Sequence, residues 1–269
     1  MNTCQNHSNF NMKKVVIVGG GHAGIEAALA VARAGLSATL VTLDINHIGS
    51  MPCNPSIGGP AKGVIVREID ALGGEMAHAA DATYFQMKKL NTSKGPGVQC
   101  LRAQSDKLEY VSYMIKKVKS TENLLLIESM ATELIVENGI CKGVILEDGK
   151  RLDADAVILT TGTYLHGKTL IGHTFKFEGP DHQRAAVGLS ESLRANGFDI
   201  QRLKTGTPPR VLADSVDYSC MEIQPGTQGD LAFSYDTTKF IPLDQQKVCY
   251  LIHTTLETKK IILEHLKDS

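Results

Sequence analysis

Residues 13–24 read KKVVIVGGGHAG. Lys13 and Lys14 precede the apolar, β-branched run Val15–Val18, which is short enough for a strand buried in a parallel sheet. Gly19, Gly21 and Gly24 then spell G-x-G-x-x-G. The Ala-rich stretch IEAALAVARAG follows and ends on Gly35, the kind of residue that stops a helix. SATLVTL (37–43) supplies a second strand. Strand, glycine turn, helix and strand within about thirty residues form the βαβ unit of a dinucleotide site. Gly19 permits the tight turn, Gly21 leaves bare backbone for a pyrophosphate, and Gly24 lets the helix close on the strand. The helix N-terminus offers N–H groups and partial positive charge to the phosphates. Gly20, His22 and Ala23 complete the loop, and His22 contributes backbone at most. The second strand of such a unit commonly ends in an acid that binds ribose hydroxyls. Thr42 holds that place here, with Asp44 two residues on, and the sequence leaves both open as the ribose partner.

The rest of the composition narrows the class. At 269 residues the chain is one large domain or two small ones. A hydrophobic fraction of 42% with 21% charged residues excludes disorder, collagen and coiled coil as the main class. A net charge of -1 does not advertise nucleic-acid binding, so any RNA contact must use a local basic patch. No apolar run reaches 18 residues, so no membrane span is expected. Residues 1–13 are polar, lack a signal-peptide core and read as a disordered leader. The six cysteines form no CxxC pair, which argues against a zinc site; no metal is expected. Free, scattered thiols fit a cytoplasmic protein.

One cysteine stands apart. Residues 47–63 read HIGSMPCNPSIGGPAKG, a Gly/Pro-punctuated loop rather than an element interior. Cys53 sits beside Pro52, with Pro55 two residues on, which stiffens the backbone around it. A thiol held in such a loop is a candidate for chemistry; the bland reading is a structural cysteine. A flavin disulfide reductase would place two cysteines here, and only one is present. Residues 64–80 read as an amphipathic helix broken at Gly73 and Gly74. Residues 84–107 carry Lys88, Lys89, Lys94, Arg102 and Lys107 around the turn GPG; the bland reading is a solvated basic loop and helix start, the functional one contact with phosphates of a cofactor or an RNA. A helix is expected over 105–119, started by Ser105 or Asp106. Short β-rich runs from 124 onward are divided by Asn138-Gly139 and Asp148-Gly149, both hairpin signals, and give an antiparallel meander. It ends in the buried strand AVILT and in Thr161-Gly162-Thr163, a glycine turn facing the cofactor crevice. A helix over 188–200 ending at Gly197, a strand within 247–255 and a terminal helix complete the reading.

Five motifs in order carry a resemblance: GGGHAG (19–24), MPCNPSIGG (51–59), NTSKGPGVQCLRAQSDK (91–107), LTTGTYLHGK (159–168) and LKTGTPPR (203–210). Together they resemble the MnmG (GidA) family of bacterial tRNA-modifying flavoenzymes. The resemblance implies an α/β, Rossmann-like, glutathione-reductase-like FAD-binding domain over 14–200, with an inserted antiparallel β meander, and part of a second α/β domain over 201–269. It implies carboxymethylaminomethyl or aminomethyl addition at C5 of the wobble uridine of tRNA, with FAD as cofactor, NADH as reductant and methylene-tetrahydrofolate as one-carbon donor. An MnmE-type GTPase partner and a homodimer are implied as well. Gly19–Gly24 match the family's pyrophosphate loop, and Thr42 fits what the family shows at the ribose position. Ala131 and Ala186 fall at FAD-lining positions, beside Thr161 and Gly162 of the crevice-facing turn read above, and Cys53 falls at a catalytic cysteine. Arg102, Lys204 and Arg210 lie in segments near the flavin and the tRNA face. The family's chain is more than twice as long, so these residues are expected to be its N-terminal portion. A generic FAD oxidoreductase and a non-catalytic remnant are the rival readings. The folate-dependent methyltransferase TrmFO, a relative, matches less well.

Overall fold

The structure is a computed structural model that describes residues Lys14–Asp268; the expected leader lies outside the described residues. In chain order it contains β1 (Lys14–Val18), α1 (His22–Arg33), β2 (Ser37–Thr42), β3 (Ser56–Gly58), α2 (Lys62–Ala71), α3 (Met76–Thr83), β4 (Tyr84–Leu90), β5 (Cys100–Ser105) and α4 (Lys107–Ser120). It continues with β6 (Leu124–Glu128), β7 (Ala131–Glu137), β8 (Ile140–Leu146), β9 (Arg151–Asp153), β10 (Ala156–Leu159), β11 (Thr169–Ile171), β12 (Thr174–Lys176), α5 (Leu189–Ala195), β13 (Glu222–Gln224), β14 (Cys249–Leu251) and α6 (Leu256–Glu264). The chain packs as two units. The first takes in the described residues through Gly49, Met114–Gly167 and Glu178–Arg202; the second takes in Ser50–Tyr113, Lys168–Phe177 and the described residues from Leu203 on.

The first unit is built on a four-stranded parallel sheet in the order β10-β1-β2-β6. Val15 to Val18 are all buried, as a strand covered on both faces requires. Successive side chains alternate between the two faces. Val16 and Val18 join Val41, Ala131, Val144, Leu146 and Leu189 in one core cluster, so this face packs on the meander β7-β8-β9 and on α5. The opposite face is covered by α1, whose Ile25, Ala28 and Leu29 are fully buried. α1 ends as its sequence implies: Gly35 takes φ +75° just beyond the last turn. Asn138-Gly139 and Asp148-Gly149 close the β7–β8 and β8–β9 hairpins. The run at 124–128 departs from the expected meander. It follows helix α4, and that crossover returns it to the parallel sheet beside β2.

The second unit has an antiparallel sheet, β3-β5-β4, with α2 packed on β3 and β5 and α3 packed on β5. Two expectations are corrected here. The 47–63 stretch holds a short strand, β3, which pairs with β5. The basic 84–107 stretch is mostly strand, because Tyr84, Gln86 and Met87 are buried on it; Lys89 is exposed, while Lys88 is half-buried and its Nζ donates to Gln224 Oε1 at 2.7 Å. The helix pair broken at Gly73 and Gly74 forms as α2 and α3. Asp106 starts α4, its Oδ1 accepting from the N–H groups of Leu108 and Glu109 at 2.9 and 3.1 Å.

Residues from 224 onward are stitched to β4 by polar contacts. Gln86 Nε2 donates to the carbonyls of Gln224 and Lys247, both at 3.0 Å, and the Met87 amide donates to Gln246 Oε1 at 2.9 Å. The packing therefore differs from a linear boundary at 200/201: residues 50–113 group with the chain after 203. Asp81 is the pin of this arrangement. Buried on α3, its carboxylate accepts from the Phe233 and Ser234 amides at 2.9 Å and from Thr237 Oγ1 at 2.7 Å. Asp81→Ala strands two buried amides and is expected to lower stability by about 3 kcal/mol, read as the shift of the urea midpoint. An unchanged midpoint would remove Asp81 from this role.

Candidate functional site

In the first unit the carboxyl ends of β1, β2, β6 and β10 lie on one edge of the parallel sheet, where open α/β sheets bind nucleotides. The glycine loop rises from β1 at that edge. Gly19 has φ +113°, and a Cβ there would strike the Thr160 carbonyl. A Cβ on Gly20 would come within 2.6 Å of Thr42 Oγ1. A Cβ on Gly24 would overlap the Gly19 carbonyl oxygen, which is the close helix–strand approach that the motif demands. Gly21 differs from all three: among the described residues, a Cβ there meets nothing within 4 Å beyond its chain neighbours. It is the N-cap of α1, in extended conformation, with no capping side chain and no acid in the first turn. A bare residue opening on free space, in front of an uncapped helix N-terminus, fits a diphosphate. Ala23 is exposed beside it. His22 is half-buried, and burial pushes its imidazole below its ordinary value, which disfavours its charged form.

The other expected cofactor residues gather on the same unit. Thr161 and Gly162 follow β10 after Thr160, Ala131 begins β7 and is buried, and Ala186 is buried and bridges to Leu165. Thr42 is buried, and its hydroxyl donates to the Asp44 carbonyl at 3.4 Å. The choice between Thr42 and Asp44 is narrowed by geometry. Asp44 caps its own turn: Oδ1 accepts from the Asn46 amide and Oδ2 pairs with His47 Nδ1, both at 2.8 Å. Burial pushes this carboxyl up, but the bonds from Asn46 and His47 outweigh it and hold the group below its ordinary value. Asp44 is thus committed locally.

The second unit holds the thiol. Cys53 is half-buried, and its Sγ donates to the Gly206 carbonyl at 2.9 Å. Arg210 Nη2 donates to the Pro52 carbonyl at 3.1 Å, so the LKTGTPPR segment grips the cysteine loop at two points. Arg102 Nη2 donates to Ser56 Oγ at 2.9 Å, and Gln104 Nε2 to Asn54 Oδ1 at 3.1 Å, which ties the same loop to β5. The structure therefore ties Arg102 and Arg210 to the loop that carries Cys53, at Ser56 and Pro52; Lys204 is exposed, two residues before Gly206. Ser56, Gln104 and Gly206 were absent from the sequence-derived set, since contacts across 46 to 153 residues leave no local signal. Cys53, Cys100, Cys141, Cys220 and Cys249 are all free. Among the described residues no group of three or more His, Cys, Asp or Glu could hold a metal ion, and no helix is long and apolar enough to cross a membrane. The same unit has a cleft of about 510 Å³ lined in part by Arg67, Lys89, Cys100 and Tyr235, and none of the expected site residues lines it.

These features can be set beside known proteins. The family model for Glucose inhibited division protein A (GidA) matches residues 14–269. The chain is 54% identical over 252 residues to the tRNA uridine 5-carboxymethylaminomethyl modification enzyme MnmG of Geobacillus kaustophilus, covering 94% of this chain and 40% of that protein. It is 51% identical over 255 residues to MnmG of Mycoplasma genitalium, covering 95% and 42%. Among solved structures, GidA of Aquifex aeolicus superposes with TM-score 0.89 at 42% identity, over 95% of this chain and 43% of that one. A GidA-related protein of Thermus thermophilus superposes with TM-score 0.52 at 20% identity, over 70% of this chain and 69% of that one, and shares the fold. The chain thus spans about two fifths of the length of the curated relatives it matches. With its glycine cradle, its cysteine loop and a family match from Lys14 onward, the chain belongs to the GidA family.

Proposed function

We propose that this chain supplies the FAD cradle and a reactive thiol for C5 modification of the wobble uridine of tRNA, adding a carboxymethylaminomethyl or aminomethyl group. The observation that carries the reading is Gly21, bare and facing open space before an uncapped helix N-terminus. Gly19–Gly24 hold the diphosphate through backbone amides. Thr42, Ala131, Thr161, Gly162 and Ala186 border the nucleotide as small or backbone contacts. When bound, FAD supplies the redox chemistry or carries the one-carbon unit. NADH as reductant, methylene-tetrahydrofolate as carbon donor, an MnmE-type GTPase as partner, a homodimeric assembly and a cytoplasmic setting belong to the same proposal.

Uracil C5 is a poor nucleophile, and the thiol answers that. Cys53 Sγ, once deprotonated, forms a bond to C6, and the C5–C6 π electrons move toward the C4 carbonyl, making C5 an enolate carbon. After C5 gains its substituent, loss of the C5 proton expels the thiolate and restores the double bond. Gly206 and Arg210 aim and brace the loop that carries the sulfur. Arg102, Lys204 and Arg210 offer positive charge to tRNA phosphates. The test is a visible spectrum of the purified protein, together with nucleoside analysis of tRNA from cells with and without it. Flavin absorbance and loss of the C5-modified wobble uridine are expected. A colourless protein, or an unchanged nucleoside profile, overturns the proposal.

A further inference from the structure

The ribose end of the cradle has a gap in its chemistry. Where a dinucleotide unit commonly ends its second strand in an acid, Thr42 is neutral and buried, and Asp44 is committed to its own turn. One strand over, the picture changes. β2 and β6 run parallel with Thr42 paired in register with Glu128, the last residue of β6. In-register partners project to the same face of a sheet. The Glu128 side chain therefore emerges on the face, and at the carboxyl edge, where the missing acid would stand. The Ser129 amide donates to the Thr42 carbonyl at 2.9 Å, which fixes the two strand ends together.

We propose that Glu128 is the ribose-binding acid of this chain, accepting hydrogen bonds from the hydroxyls of the adenosine ribose; this rests on the dinucleotide reading above. Its Oε2 accepts from the Ile45 amide at 2.8 Å, which orients the carboxylate. Among the described residues Oε1 has no hydrogen bond and Glu128 has no ion pair. The residue is exposed, so a ligand can reach it. An oriented, unpaired carboxylate, pinned next to the expected position, is suited to a vicinal diol: two hydroxyl donors meet one charged acceptor. A 2′-phosphate would meet like charge at the same place, so the site selects nucleotides with an unmodified ribose.

The test is calorimetric titration of the whole chain with FAD, ADP and 2′,3′-dideoxy-ADP. The unaltered chain should prefer ADP to the dideoxy compound by about tenfold to a hundredfold, the worth of a hydrogen bond to a charged group. In Glu128→Ala that preference should fall to within about twofold of unity, with dideoxy-ADP affinity unchanged. Glu128→Gln, which keeps the side-chain shape and an acceptor for the Ile45 amide, should lose most of the preference as well. ADP bound with its full preference retained in both variants overturns the role of Glu128 and leaves the cradle standing. Failure of the unaltered chain to bind either FAD or ADP overturns the dinucleotide reading and the inference with it.

Discussion

Gly24→Val is expected to yield protein that retains no flavin through purification and unfolds in urea at a clearly lower midpoint. Even the first atom of any side chain at this position falls onto the Gly19 carbonyl oxygen, with Thr160 Oγ1 behind it at 2.7 Å. Both neighbours are held: the Gly19 amide donates to the Val41 carbonyl at 2.8 Å, and Thr160 Oγ1 donates to the Val18 carbonyl at 2.9 Å. Relief requires α1 to move off the sheet, which breaks packing by Ile25, Ala28 and Leu29. A cost of about 3 kcal/mol or more follows from overpacking a core that cannot relax. Gly21→Ala is the informative contrast. Among the described residues its methyl group meets nothing within 4 Å, so stability should hold within about 1 kcal/mol, the range of an N-cap exchange. Yet that methyl would stand where the diphosphate approaches, and flavin should be lost all the same. Retention of flavin by Gly21→Ala would mean that the cradle serves something other than a phosphate.

Cys53→Ser is expected to abolish formation of the C5-modified wobble uridine, with the rate reduced by about a thousandfold or more. Serine preserves the size of the side chain and can still donate to the Gly206 carbonyl. It lacks a nucleophile of comparable strength at neutral pH. Flavin absorbance should be unaffected, because the cradle is built by residues of the other unit. The measurement is nucleoside analysis of tRNA from cells whose copy carries the substitution, paired with the visible spectrum of the purified variant. A normal nucleoside profile would take Cys53 out of the chemistry and leave the cofactor reading in place.

The first unit was readable from sequence because its signals are local. The Val15–Val18 run, the glycine spacing and Gly35 each act within a turn or two of themselves, and β1, α1 and β2 appear where those signals place them. Asn138-Gly139 and Asp148-Gly149 fixed two hairpins for the same reason. The 124–128 run was harder, since its alignment with β2 depends on a helix crossover rather than on neighbouring residues. Lysines concealed β4: Lys88 and Lys89 lie near its end, although Tyr84, Gln86 and Met87 are buried on it. The cysteine loop was legible as a loop, but its grip by Gly206 and Arg210 was not, because these contacts span about 150 residues of chain. Glu128 offered a weak signal, an acid closing an apolar run, which gains meaning only once its register with Thr42 is known.

The discontinuous second unit has a consequence for how the polypeptide matures. β4 leaves the ribosome long before residues 224–247, whose carbonyls and side chains satisfy Gln86 and Met87. Until then a strand with unmet polar groups waits in the nascent chain, and the loop closure it needs is among the slow steps of folding. Meanwhile β10 completes the parallel sheet of the first unit, so the nucleotide cradle can assemble while its companion is still open. Translation speed between residues 160 and 224, or a chaperone that shields β4, should therefore govern the yield of native protein more than the cradle does.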